Sequence, residues 1–414
     1  MTSTASTAST QTLPQSTPQT SPPTWTSTEL ARAFNAPKGF GDATLRDRHP
    51  DSIELLGGIP DPSVLPSAEL AEATARVLSV PGVPALQYGR TEGVPALREW
   101  IAAREGVPVS RVLITNGGFH GISLAVQLVV ERGGLVAVDN PIFPLFLRGL
   151  ELSDARILPI TVGRDGFDVA ELEAHLIAGA RPAAVYTVPD FHNPSQHSLT
   201  LEGRRALVRL AERYDFILLA DNPYRELRFR GDELDFEIFN SSSHVIHINT
   251  FTKTLGPGLR LGWIVLPERL VPDFVSLRAR QDSHSSQLVQ HAVAELLGTT
   301  PTFFDDTLAS ARELYRERAD ALSAALEAHA PGAFEIDAPD GGLFLWPRLV
   351  DDAIDADRLA EDASAEGIGY QRGSFFPSGP GTDAPRRLRL AYGDTPVERL
   401  QEAAARLGRA LEKQ

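Results

Sequence analysis

From Leu56 to Pro267 short apolar runs alternate with helix-patterned stretches, and this alternation leaves very few architectures open. The apolar runs fall at residues 112–115, 135–139, 183–188, 217–221, 245–250 and 261–266, with helix-like segments such as 121–131 and 201–214 between them. Strands joined by helical crossovers pair in parallel, and a parallel sheet needs helices on both faces to bury it. The predicted fold class is α/β, a mainly parallel sheet covered by helices. In such sheets ligands collect beyond the carboxyl ends of the strands. That rule selects residues 116–120, 140–143, 190–194, 221–224 and 250–253.

Beyond about Leu270 the pattern changes. A long helical stretch over 307–329, mixed segments around 341–346 and 387–392, and an amphipathic helix from about Val397 predict a smaller α+β domain. Residues 1–25 are Ser-, Thr- and Pro-rich and read as a disordered tail. Order is expected from Thr26, which with Glu29 has capping-box spacing ahead of Leu30, Ala31 and Phe34. The expected division is a tail over 1–25, a segment over 26–55 packing with the small domain, a large domain over 56–280 and a small domain over 281–414.

The chain carries 39 basic and 54 acidic residues, a net charge of −15, which opposes a nucleic-acid surface. No apolar run is long enough to cross a bilayer, and no basic segment followed by an apolar core opens the chain. A cytoplasmic protein is expected, with no membrane partner. Cysteine is absent, so disulfides, thiolate metal sites and cysteine nucleophiles are excluded. No metal is expected.

Lysine stands only at Lys38, Lys253 and Lys413; arginine supplies every other cation. An amine can lose its proton and attack a carbonyl, whereas a guanidinium effectively cannot. Lys38 and Lys413 lie in or near polar terminal segments, which leaves Lys253 to explain. It sits in Asn249-Thr-Phe-Thr-Lys253-Thr-Leu-Gly-Pro-Gly-Leu-Arg260-Leu-Gly-Trp263, where the hydroxyls of Thr250 and Thr252, the amine and the Arg260 guanidinium converge on one turn after a strand. Glycine amides and an arginine together suit a phosphate dianion; a plain surface turn is the simpler reading. A second signal is Ile217-Leu-Leu-Ala-Asp221-Asn-Pro-Tyr224. A carboxylate ending an apolar strand is costly to bury unless a cation meets it, and a protonated pyridine nitrogen is such a cation. Capping of the next turn is the alternative.

With these motifs in hand the chain resembles the class I/II aminotransferases, fold type I of the pyridoxal-phosphate enzymes. The resemblance runs from about Leu56 to the C-terminus, with the motifs in the family's order. They are Gly-Gly-Ile-Pro-Asp-Pro at 57–62, Gln87-Tyr-Gly-Arg-Thr-Glu-Gly93 with Leu97-Arg98, Asn193-Pro194, Asp221-Asn-Pro-Tyr224, the Thr250 to Arg260 segment, Gly341-Gly-Leu-Phe-Leu-Trp346 and Arg389-Leu-Ala-Tyr392.

This resemblance implies a seven-stranded-type large-domain sheet, pyridoxal 5′-phosphate as cofactor and a homodimer with shared active sites. It implies that Lys253 holds the cofactor as a Schiff base and then shuttles the proton at the substrate Cα. Asp221 would pair with the pyridine nitrogen, Asn193 and Tyr224 with the phenolic oxygen. The phosphate would sit on the amides of Gly117, Gly118 and Phe119 at a helix N-terminus, with Thr250, Thr252 and Arg260 adding contacts. Tyr88 would reach it from a neighbouring subunit, and Phe143 would stack on the ring. Arg389 would hold the substrate α-carboxylate, with Gly58 of the entry segment also at the substrate. Strand alternation places Arg387 on the same face as Arg389, so Arg387 is the alternative.

Some positions depart from the family pattern. Gly117-Gly-Phe-His120 removes a hydroxyl near the phosphate, Phe143 replaces a common tyrosine, and Ser195-Gln196 replaces Thr-Gly or Ala-Gly, placing a larger side chain beside the cofactor. His120 and His192 fall near the site, where a structural hydrogen-bonding role is the first expectation. The implied function is transfer of an amino group between an α-amino acid and a 2-oxo acid. Elimination, replacement or carbon–carbon bond formation at Cβ or Cγ is the alternative that Gly118, His120 and Gln196 motivate. A catalytically silent binding or regulatory module is a third.

Overall fold

The computed structural model describes Thr28 and residues 51–414. The tail expected over 1–25, the capping box at Thr26 and Glu29, and the 26–55 segment as far as residue 50 (Thr28 apart) lie outside the described residues. In chain order the first strands are β1 (Ile53–Leu55), β2 (Val112–Thr115), β3 (Leu135–Asn140), β4 (Arg156–Gly163), β5 (Gly166–Phe167), β6 (Ala184–Thr187), β7 (Ile217–Asp221), β8 (Val245–Thr250) and β9 (Gly262–Val265). Then follow β10 (Phe334–Glu335), β11 (Phe344–Leu345), β12 (Arg348–Leu349), β13 (Ile368–Arg372) and β14 (Leu388–Ala391).

Eight of these form one sheet in the order β2-β9-β8-β7-β6-β3-β4-β5. The pairs β8–β7, β7–β6, β6–β3 and β3–β4 are parallel, while β9 runs antiparallel to both β8 and β2. The α/β architecture is therefore the predicted one. The central strands β6, β7 and β8 are buried at every position, which is why they read as unbroken apolar runs. Helices Gly118–Val129 and Leu201–Tyr214 help to cover the sheet; Thr200 Oγ caps the second by accepting from the Gly203 amide at 3.1 Å.

One long strand escaped the sequence reading. Pro159 interrupts the run Arg156-Ile-Leu-Pro-Ile-Thr-Val-Gly163, and proline inside an apolar run argues against a central strand. Here it is tolerated because β5 pairs only with Val162 and Gly163, leaving the far edge of β4 open beside Pro159. The helix expected to begin near residue 121 starts at Gly118 instead, and this sets where its N-terminus points.

A second sheet has the order β1-β13-β14-β11, with β1 parallel to β13 and the other pairs antiparallel. Its β1 immediately precedes the glycine-rich entry segment. Asp61 ties that segment to the long helix Phe303–His329: its carboxylate accepts from Arg318 at 2.6 Å and its amide donates to the Tyr315 hydroxyl at 3.1 Å.

Candidate active site

The carboxyl ends of β2, β3, β6, β7 and β8 open at one edge of the large sheet, and a cavity of about 160 Å³ lies there. Its walls include Gly118, Phe119, Phe143, Tyr186, Asn193, Asp221, Tyr224, Thr250, Thr252, Lys253 and Arg260. Ten of these were expected from sequence; Tyr186 was not. Gly58, Tyr88, Gly117 and Arg389 do not line the cavity themselves.

Lys253 closes a short turn, Phe251–Lys253, that follows β8 directly. Its Nζ donates to the Gly58 carbonyl at 2.6 Å and lies 5.6 Å from the centre of the Tyr224 ring. Burial, together with the nearby charges of Arg389 and Arg260, pulls this amine down to about 8. Asp221 ends β7 and is buried; its Oδ2 accepts from the Tyr186 hydroxyl at 2.8 Å. Burial pushes the carboxyl up to about 7 despite that bond, with Asp139 adding to the rise. Each group is thus moved towards its neutral form.

A phosphate-sized cradle lies at the start of helix Gly118–Val129. Gly117 caps it at φ +85°, and a side chain there would meet the Arg260 guanidinium at 2.6 Å. The first amide bonded within this helix is that of Gly121, to the Gly117 carbonyl, so the preceding amides point out of the helix end. Thr250 and Thr252 share a hydroxyl contact of 2.7 Å beside it. Gly262 on β9 lets the strand run against this turn; a Cβ there would stand 2.8 Å from the Gly117 carbonyl carbon and from the Asn249 oxygen.

Arg389 on β14 is buried, and burial pulls its guanidinium down to about 10. Nη1 donates to Asn193 Oδ1 at 2.8 Å and Nη2 to the Leu56 carbonyl at 2.5 Å. Its carbon sits 4.3 Å from the Phe344 ring centre, and Phe344 in turn meets Tyr224 edge-on. Arg387, the alternative, also has extended backbone, at φ −121° and ψ 160°. It precedes β14, at the end of the turn Ala384–Arg386, and its guanidinium pairs with Asp383 at 2.9 Å.

The departures from the family pattern also have definite places. Gln196 does not stand beside the cavity: its amide nitrogen donates to the Asp337 carbonyl at 2.6 Å and its oxygen accepts from the Trp346 amide at 2.9 Å. Its φ of +63° accounts for glycine being common there. His120 accepts from the Asn116 amide at 3.1 Å and faces Asp282 at 3.8 Å. His192 is buried between Asp139, 3.2 Å away, and the Ser195 hydroxyl at 2.9 Å. Both histidines have structural partners. Tyr88 is 95% exposed, with its ring edge-on to His284.

Behind Tyr224, Glu105 is buried and receives a fork from Arg225 (2.8 and 2.9 Å) and the Trp263 indole at 2.9 Å. Burial by itself would raise this carboxyl, yet the charges of Arg225 and His247 and these bonds bring it to about 2. The pair pins the turn carrying Tyr224 to the end of helix Pro95–Glu105.

The buried Asp221 carboxyl, pushed up by burial, suits a cationic partner, and the helix end beside Arg260 suits an anion. Pyridoxal phosphate supplies both, along with an aldehyde for the lysine amine, so the residues present fit that cofactor. Fold and site together place the protein among the fold type I pyridoxal-phosphate enzymes.

The aminotransferase class I and II family model matches residues 58–407. The chain is 32% identical over 369 residues to the 2-aminoadipate transaminase of Thermus thermophilus, covering 88% of this chain and 91% of that protein. It is 30% identical over 378 residues to the aromatic-amino-acid aminotransferase 1 of Thermococcus litoralis, covering 88% and 89%. The crystal structure of the α-aminoadipate aminotransferase of T. thermophilus, complexed with N-(5′-phosphopyridoxyl)-L-leucine, superposes with a TM-score of 0.81 at 31% identity, over 91% of this chain and 98% of that one. The chain belongs to the class I and II aminotransferase family. It is a pyridoxal-phosphate-dependent transferase whose substrates are amino acids and 2-oxo acids.

Proposed function

We propose that Lys253 is the residue joined covalently to the cofactor and that Asp221 faces its ring nitrogen. The observation that carries this reading is one cavity holding both an amine pulled down to about 8 and a carboxyl pushed up to about 7. Burial makes the amine a nucleophile near neutral pH and leaves the carboxyl wanting a cation.

Bound pyridoxal phosphate supplies a carbonyl to which amines add and a cationic ring that takes up an electron pair. The chain supplies the rest. The helix end at Gly118, with the hydroxyls of Thr250 and Thr252 and the Arg260 guanidinium, holds the phosphate. Asp221 keeps the ring nitrogen protonated. Asn193 and Tyr224 hold the phenolic oxygen, and Phe143 stacks on the ring. Arg389 orients the substrate carboxylate, and the entry segment at Gly58 lies over the substrate. With substrate bound, the free Lys253 amine would take the proton from the substrate Cα.

Chemistry at Cβ or Cγ finds less support, because His120 and Gln196, two of the residues that motivated it, are bonded away from the cavity. A silent module would have no need of the shifted pair Lys253 and Asp221. We further propose a cytoplasmic homodimer in which Tyr88 completes the partner's phosphate site. The exposed run of Leu78, Val80, Leu86 and Tyr88 supports a covered face there. Among the described residues no helix is long and apolar enough to cross a membrane.

The test is borohydride reduction of the cofactor-loaded protein followed by peptide mapping, with label expected on Lys253. Label elsewhere, or none, ends the assignment. 2-Aminoadipate and aromatic amino acids, from the relatives' names, are the first donors to try.

A further inference from the structure

We infer that Tyr186 is a positioning residue, which holds one oxygen of Asp221 by hydrogen bonding so that the other oxygen faces the cofactor cavity. The inference rests on the assignment of Asp221 as the acid at the ring nitrogen. Tyr186 lies within β6, fully buried, and its hydroxyl donates to Asp221 Oδ2 at 2.8 Å. The other oxygen, Oδ1, turns towards the phosphate helix, 3.9 Å from where a Cβ on Gly118 would stand. The two carboxylate oxygens therefore have different surroundings.

The tyrosine is itself held. Its ring stacks on Phe146 at 3.6 Å between centres and 10° between planes, so the hydroxyl has one place to go. The register agrees: Tyr186 pairs with Leu219, two residues before Asp221, and alternation turns 219 and 221 to the same face of β7. The phenol stays a donor, because burial and the adjacent charges of Asp221 and Asp139 raise its pKa well above the usual value.

The ionisable groups around Asp221 come from four elements. Tyr186 faces it from β6, Asp139 from β3, Lys253 from the turn after β8 and Tyr224 from its own turn. Asp139 disfavours the ionised carboxylate, Lys253 favours it, and among the described residues Tyr186 is the one hydrogen-bond donor to its side chain. Without that donor Asp221 becomes more basic, and its pairing with a cationic ring is lost at a higher pH.

The experiment follows release of pyridoxal phosphate from the holoenzyme, read as loss of visible absorbance on dilution across a pH series. Asp221→Asn, Tyr186→Phe and the double variant are compared with the wild type. Tyr186→Phe keeps the stacked ring and removes only the hydroxyl. It is expected to weaken cofactor retention about ten- to hundredfold and to move the pH of release upwards by about one unit. Because Tyr186 acts through Asp221, it should add nothing further in the Asp221→Asn background.

3-Fluorotyrosine at position 186 preserves the shape and strengthens the donor. It should move the pH of release downwards, and it serves if Tyr186→Phe does not fold. Retention and pH of release unchanged in Tyr186→Phe, or equal losses from that change in both backgrounds, overturn the inference. So does an upward or absent shift with fluorotyrosine. If Asp221→Asn itself binds cofactor as the wild type does, the assignment of Asp221 fails instead.

Discussion

The Nζ of Lys253 donates to the carbonyl oxygen of Gly58 across 2.6 Å, joining the end of β8 to a glycine that precedes it by 195 positions. A side chain at Gly58 would stand 2.4 Å from the Phe344 ring, so this backbone reaches the lysine only because position 58 carries none. The Lys253 amine therefore has a partner that carries no charge.

Replacing Lys253 by arginine keeps the charge but removes a group able to lose its proton at neutral pH. Turnover of amino donors is expected to fall by about two to four orders of magnitude. Borohydride reduction should then leave no covalent label. Donor conversion followed by mass spectrometry checks the first, peptide mapping the second.

The pH response of the free amine follows from its surroundings. The folded value, about 8, lies below the ordinary 10.5, so the neutral amine predominates above about 8. Capture of added pyridoxal phosphate by the apo-protein should accelerate as pH rises towards 8 and level off beyond it. A rate still climbing steeply above pH 9 would mean that the lysine is not buried in this way.

Arg389→Lys retains a cation but loses the planar fork. KM for the amino donor should rise about ten- to hundredfold, with a smaller effect on kcat. Arg387→Ala should change KM by no more than about twofold, since its guanidinium is spent on Asp383. Steady-state kinetics on the two variants separate the arginines.

Glu105→Gln would leave the buried Arg225 guanidinium without its countercharge. A loss of about 3–5 kcal/mol is expected in urea unfolding. Removing the exposed partner in the Arg76–Glu295 pair should cost less than about 1 kcal/mol. Glu105 is held at about 2 against an ordinary 4.5, so its contribution is complete above 4.5 and fades as pH falls from there towards 2.

Mixing Tyr88→Ala and Lys253→Ala subunits tests the shared site. If Tyr88 serves the partner's cofactor, hybrid dimers regain one intact site and the mixture recovers activity that neither variant has alone. Activity assays after co-refolding decide this, and no recovery would place Tyr88 outside the site.

Much of the site was legible in the chain because it is built from strand ends and turns. Lys253, Asp221 and the Gly117 turn each follow an apolar run, and the rule that ligands gather at carboxyl ends of parallel strands needs no register. Tyr186 was not legible: a tyrosine inside an apolar strand looks like core until the register sets it beside Leu219 and Asp221. Gln196 misled for the same reason. Local spacing put it beside the cavity, and its partners Asp337 and Trp346, more than a hundred residues away, turn it elsewhere.

By its order of apolar runs, turns and rare lysines, the sequence determined the α/β architecture, the family, and the amine and acid that stand at its centre. Those properties are local, carried by periodicity along a few residues at a time. The tertiary structure alone decided which of the two arginines is buried, which oxygen of Asp221 is held and what shifts the two ionisations. Each depends on burial and on contacts between residues far apart in the chain, and a side chain acquires those surroundings only when the sheet closes around it.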